Sequence, residues 1–153
     1  MKIALGSDHA GYDLKKEVVS FLRKERHEFE DIGVFTEESA DYPDIGVKVA
    51  EAVANKEFDR GILICGTGIG MSITANKVPG IRAALCVDPY SAMLSRDHND
   101  ANVLVLGGRI TDMATALEIV RTWLTMEFPA QDRHVRRLHK IGEIERKYYG
   151  GGS

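Results

Sequence analysis

The chain has 153 residues, 44% of them hydrophobic and 28% charged, with a net charge of −3. This balance is that of one globular domain with a substantial core, and nothing in it points to nucleic acid or an anionic membrane surface. No stretch approaches the ~20 apolar residues of a membrane span and no signal peptide stands out, so a cytoplasmic protein with Cys65 and Cys86 both reduced is expected.

In chain order, the apolar run Lys2–Gly6 predicts a strand, ending at the polar Ser7-Asp8-His9. Leu14, Val18, Phe21 and Leu22 then share one helical face. His27–Ile32 reads as a weaker strand and Gly33–Tyr42 as an acidic loop. Pro43 suits the first turn of a helix whose buried face is Ile45, Val49, Ala50 and Val53. Strands recur at Gly61–Cys65, Ile81–Val87 and Asn102–Leu106, each followed by a helical pattern, and the last two helices are predicted near Asp112–Met126 and Arg133–Tyr148. Strands alternating with helices imply βαβ units, hence an α/β fold with a five-stranded parallel sheet covered on both faces. The domain is expected over residues 1–149, followed by a flexible tail at 150–153.

In such sheets ligands bind beyond the carboxyl ends of the strands. Those ends carry Asp8-His9, Cys65-Gly66-Thr67-Gly68-Ile69-Gly70, Asp88 and Gly107-Gly108-Arg109. The glycine loop lays out backbone N–H groups that can hold an anion or enolate, and a thiol at its lip would feel the same field. A glycine turn for close strand–helix packing gives the same pattern. The nucleotide readings fit less well: the third glycine of a dinucleotide fingerprint is replaced by Met71, although Asp88 follows Gly68 at the ribose-acid spacing, and a Walker loop would need a lysine. Cys86 has no comparable context and reads as core.

Asp97-His98-Asn99 ends a helical pattern, where a histidine can be an acid or base or can belong to a C-terminal cap. In the last helix Val135, Leu138, Ile141 and Ile144 form an apolar stripe expected to be buried. Arg133 and Arg137 flank it together while Arg136 points away, so the pair suits either a phosphate or a solvated basic face. The histidines and cysteines have no zinc-like spacing, and no metal site is expected.

Taken in order, Ser7-Asp8-His9-Ala10-Gly11, Asp41-Tyr42-Pro43, Cys65-Gly66-Thr67-Gly68-Ile69-Gly70, Ser95-Arg96-Asp97-His98-Asn99 and Arg133-His134 resemble the type B ribose-5-phosphate isomerases, in the family that includes galactose-6-phosphate isomerase subunits. The resemblance runs from Met1 to about Tyr148. It implies a Rossmann-like three-layer α/β/α sandwich, no metal or organic cofactor, and a homo-oligomer (a dimer or dimer of dimers) with active sites shared between subunits. It further implies that Cys65 moves a proton between C1 and C2 and that Gly66, Thr67, Gly68, Ile69 and Gly70 surround the enediolate oxygen. His98 would assist ring opening, Asp8 and Asn99 would hold sugar hydroxyls or the ring oxygen, and Tyr42 would line the pocket. His9, Arg109, Arg133 and Arg137 would hold the phosphate of a small phosphosugar. Another branch of the family uses a glutamate as base at the place of Met71, which leaves the thiol as the base here.

Overall fold

The computed structural model describes residues 1–150, so of the expected tail only Gly150 lies among them. Five strands form one all-parallel sheet: β1 (Lys2–Ser7), β2 (Glu28–Gly33), β3 (Arg60–Cys65), β4 (Ala83–Leu85) and β5 (Val103–Gly107). Their spatial order is β2-β1-β3-β5-β4. Six helices accompany them: α1 (Tyr12–Lys24), α2 (Tyr42–Ala54), α3 (Ile69–Ala75), α4 (Pro89–Asp97), α5 (Met113–Thr125) and α6 (Asp132–Tyr149).

The period-two alternation of the strands divides the core. Ile62, Ile64, Leu104 and Leu106 face one layer, packed with Leu14, Val18 and Leu22 of α1, Ala92 of α4 and Ile119, Val120 and Trp123 of α5. Leu63, Cys65, Val103 and Val105 face the other, against Val49, Ala50 and Val53 of α2 and Met71 and Ala75 of α3. This is the expected three-layer α/β/α sandwich. Cys65 and Cys86 are buried free thiols belonging to opposite layers, and burial pushes the Cys86 thiol above its ordinary value.

Three features differ from the sequence pattern. Gly33 still pairs with Gly6 and Tyr42 already opens α2, so the connecting segment is only 34–41. The expected strand Ile81–Val87 shortens to three residues in β4, an edge strand paired to β5 alone. Asn102 takes up the flanking Arg82 N–H through its side-chain oxygen (2.8 Å).

The third difference is larger. The stripe of α6 is not buried by its own chain: Val135, Ile141 and Ile144 are 45%, 48% and 60% exposed. Leu138, Ile141 and Ile144 instead form one wall of an open apolar groove of ≈ 460 Å³, whose other wall includes Ile81, Ala83, Ala84 and Ala101. Periodicity reported an apolar face correctly but not what covers it. Among the described residues no helix is long and apolar enough to cross a membrane.

Candidate active site

From β1 the chain turns to β2 on one side, and then returns to β3 on the other. The carboxyl ends of β1 and β3 therefore diverge into a crevice, the position where doubly wound sheets take ligands. An open cleft of ≈ 440 Å³ occupies it, lined by Asp8, His9, Tyr42, Cys65, Gly66, Thr67, Ile69, Gly70 and Arg109 among others. Nine of the residues singled out in the sequence thus share one cavity.

Cys65 is the last residue of β3 and is 4% exposed. Its sulfur accepts the N–H of Gly68 at 3.2 Å. Gly68 is the N-cap of α3 at φ +79°, where a Cβ would also lie 2.4 Å from Leu85 Cδ1. At Gly70 a Cβ would sit 2.6 Å from Tyr42 Cζ, so the tyrosine ring lies directly on the loop. These two glycines answer to backbone conformation and close approach. Gly68→Ala is expected to destabilise the fold by roughly 1–3 kcal/mol through left-handed strain and the clash with Leu85; a lowered urea midpoint at unchanged m-value is the measurement.

The Thr67 hydroxyl accepts the Ile69 N–H at 3.3 Å. Among the described residues, the N–H groups of Gly66 and Thr67 have no protein acceptor. With α3 only seven residues long, these loop amides rather than a long helix dipole supply the positive potential. Met71, at the place of the third fingerprint glycine, is fully buried against Gly46 of α2. Asp88, the other element of the dinucleotide reading, is spent as the N-cap of α4, where bonds from Ser91 hold its carboxyl below the usual carboxylate range.

The polar walls are set by local hydrogen bonds. One Asp8 oxygen accepts the Gly11 N–H at 3.0 Å, fixing the side chain at the cleft floor. His9 Nδ1 accepts the Ala40 N–H at 3.1 Å, which puts the proton of the neutral ring on Nε2. The segment bearing Ala40 is anchored by the buried Lys15, whose ammonium binds Asp31 (2.8 Å) and the carbonyl of Val34. Nothing in the spacing of Lys15 or Ala40 marks them for this; the contacts arise only from the crossing of α1 and segment 34–41. Arg109 donates its backbone N–H to Gly66 O at 2.9 Å, which keeps its side chain beside the loop.

The remaining sequence candidates lie elsewhere. α4 runs antiparallel to the strands, so His98 and Asn99 stand at the amino edge of the sheet, just before β5. His98 stacks on His134 of α6 with ring centroids 4.3 Å apart, which brings the start of α6, with Arg133 and Arg137, to that same edge. A six-residue strand such as β3 spans roughly 17 Å, so within one chain Cys65 and His98 cannot meet across a single substrate carbon. The chain carries two groups: thiol, amides, His9 and Arg109 at one edge; His98, Asn99, Arg133 and Arg137 at the other.

Asp97, His98 and His134 each bring a potential ligand atom within 4.8 Å of the others, a cluster invisible in sequence because 36 residues separate the two histidines. It does not suit a cation. The imidazole planes are only 19° apart, so their in-plane lone pairs run side by side instead of converging. The charges of Arg133 and Arg137 also bear on His134.

Comparison with known proteins agrees with this fold. A family model described as Ribose/Galactose Isomerase matches residues 3–141. Ribose-5-phosphate isomerase B of Escherichia coli K12 is 49% identical over 146 residues, covering 95% of this chain and 97% of the relative. A D-erythrulose-4-phosphate isomerase of Pectobacterium atrosepticum is 42% identical, covering 95% of both chains. The solved structure of Clostridium thermocellum ribose-5-phosphate isomerase B superposes with a TM-score of 0.95 at 59% identity, covering 97% of this chain and 99% of that one. The chain therefore belongs to the ribose/galactose isomerase family, with the type B ribose-5-phosphate isomerases.

Proposed function

We propose that this protein interconverts ribose 5-phosphate and ribulose 5-phosphate through a cis-enediolate. The observation that carries the reading is the near-buried thiol of Cys65 at the lip of a loop whose Gly66 and Thr67 amides lack an acceptor among the described residues. Moving a carbonyl from C1 to C2 requires a base for the C2 proton and donors for the oxygen that becomes negative. Cys65 as thiolate takes the C2 proton, the C–H electrons form the C1–C2 double bond, and the C1 carbonyl electrons settle on O1, facing the amides. The thiol returns its proton to C1, and the O2 proton moves to O1, leaving the ketose. Every step is a proton transfer, so no cofactor or metal is called for. When the sulfur gives up its proton again, the Gly68 N–H it already accepts becomes a stronger, charge-assisted bond.

Ribose 5-phosphate enters mostly as a ring, and opening it breaks C1–O4 while the O1 proton leaves and another arrives at O4. His98 is the group for that exchange, with Asn99 beside it. Because His98 and Cys65 sit at opposite edges of the sheet, the complete site is made by two copies: Cys65, the loop, Asp8, His9, Tyr42 and Arg109 from one, His98, Asn99, Arg133 and Arg137 from the other. The uncovered stripe of α6 gives that second copy an apolar surface to cover. The phosphate does not react; its grip by His9 and the arginines orients the reacting end.

The test is kcat/KM for ribose 5-phosphate beside allose 6-phosphate and galactose 6-phosphate. Ribose 5-phosphate is expected to be preferred and its rate to be unchanged by EDTA. A preference for a hexose phosphate would move the substrate within the family, and a metal requirement would contradict the proton-transfer scheme.

A further inference from the structure

His134 is the one buried residue of α6, at 2% exposed, on a helix that its own chain otherwise leaves largely open. Its ring covers one face of His98, while Asp97 Oδ2 lies 3.2 Å from His98 Nε2. His98 is thus approached from two sides, by a carboxylate close to Nε2 and by a flat imidazole over one ring face. We propose that His134 is a positioning residue for ring opening: a neutral imidazole that fixes the plane of His98 and leaves the exchangeable proton to it. This rests on the isomerase reading, with His98 as the ring-opening group.

The neutrality follows from geometry. His134 Nε2 is enclosed and, among the described residues, has no hydrogen-bond partner. An N–H there would be a buried, unpaired donor, so the ring carries its proton on Nδ1 and presents only a lone pair at Nε2. The imidazolium needs both N–H groups and is disfavoured for the same reason. The charged and titratable groups around it are Asp97 and His98 from α4 and Arg133 and Arg137 from its own helix. Burial first, then His98 and the two arginines, push His134 below the ordinary histidine value, with only Asp97 opposing.

A neutral ring face accommodates a neighbouring imidazolium, whereas a second cation would repel it. With Asp97 Oδ2 3.2 Å from Nε2 favouring a proton on that nitrogen, His98 Nδ1 is the atom that takes the O1 proton and returns one to O4 as C1–O4 breaks. The stack keeps that nitrogen aimed at a fixed point, as a carboxylate near one ring atom does not.

The experiment separates ring opening from the rest of the reaction with two substrates. Ribose 5-phosphate needs ring opening; erythrose 4-phosphate, whose O4 is phosphorylated, cannot close a furanose. His134→Gln, which removes the ring, is expected to lower kcat on ribose 5-phosphate by about tenfold, below the ~10²–10⁴-fold for losing an acid–base group itself. On erythrose 4-phosphate the loss stays under about twofold and KM is unchanged for both. His134→Phe, which keeps a flat neutral face, retains wild-type behaviour within about twofold. Equal losses on both substrates, a KM increase on both, or no loss with His134→Gln would each overturn the proposal. In the unmodified protein, an NMR histidine titration is expected to find His134 neutral with its proton on Nδ1 at every pH where the enzyme turns over; a protonated His134 in that range sinks the proposal even if neither variant folds. Failure of the isomerase reading itself is distinct, since the wild-type protein would then turn over neither sugar.

Discussion

Cys65→Ala is expected to lower kcat for ribose 5-phosphate by about 10⁴-fold, the upper end for removal of a positioned base, with KM little changed. The size of the effect follows from the poverty of alternatives in the cleft. One Asp8 oxygen is tied to the Gly11 N–H, and His9 Nδ1 is tied to the Ala40 N–H. Met71, at the end of the glycine loop, is packed under α2. The second Asp8 oxygen and His9 Nε2 are given to the sugar hydroxyls and the phosphate in the proposed arrangement, which leaves Cys65 for the C2 proton. KM is spared because the proposed phosphate contacts are elsewhere, on His9 and the arginines. Cys65 is buried but small, and losing one sulfur atom from that layer costs about 1 kcal/mol, so the variant stays folded. Turnover retained within tenfold of wild type, in a variant with an unchanged melting profile, would remove the thiol from its role.

Much of this arrangement is legible in the residues. The strand–helix alternation, the glycine loop after Cys65 and the polar residues at strand ends lead directly to the sheet and to the cleft that gathers Asp8, His9, Cys65 and Arg109. Each is a local signal with a local consequence: a buried run makes a strand, and a glycine at φ +79° makes the turn after it. What the chain pattern does not carry is anything that depends on crossing elements. His134 meets His98 only because α6 folds back onto the end of α4, and Ala40 reaches His9 only because Lys15 pins segment 34–41. The stripe Val135, Leu138, Ile141 and Ile144 misleads in a more instructive way. Its period is right, but amphipathicity is a statement about one helix and says nothing about which chain supplies the cover. The same gap hides the two-edge layout, because motif order along the chain is blind to which end of the sheet each motif occupies.

That layout makes the shared site testable by complementation. Cys65→Ala and His98→Asn should each give a homo-oligomer with little activity on ribose 5-phosphate, since every site lacks either its base or its ring-opening group. In a mixed dimer of the two variants, one site pairs altered Cys65 with altered His98, and the other pairs the native Cys65 of one chain with the native His98 of its partner. Random mixing of equal amounts therefore restores about one quarter of wild-type activity, because half the dimers are mixed and each has one intact site of two. Co-expression with two different tags and purification through both should raise this to about one half per dimer. If the site instead lay within a single chain, no mixture could place both native groups together, and activity would stay at the level of the parents. The arithmetic also discriminates between the two edges: an Arg137→Ala chain should rescue Cys65→Ala, but should fail to rescue His98→Asn, because His98 and Arg137 stand at the same edge and come from the same subunit.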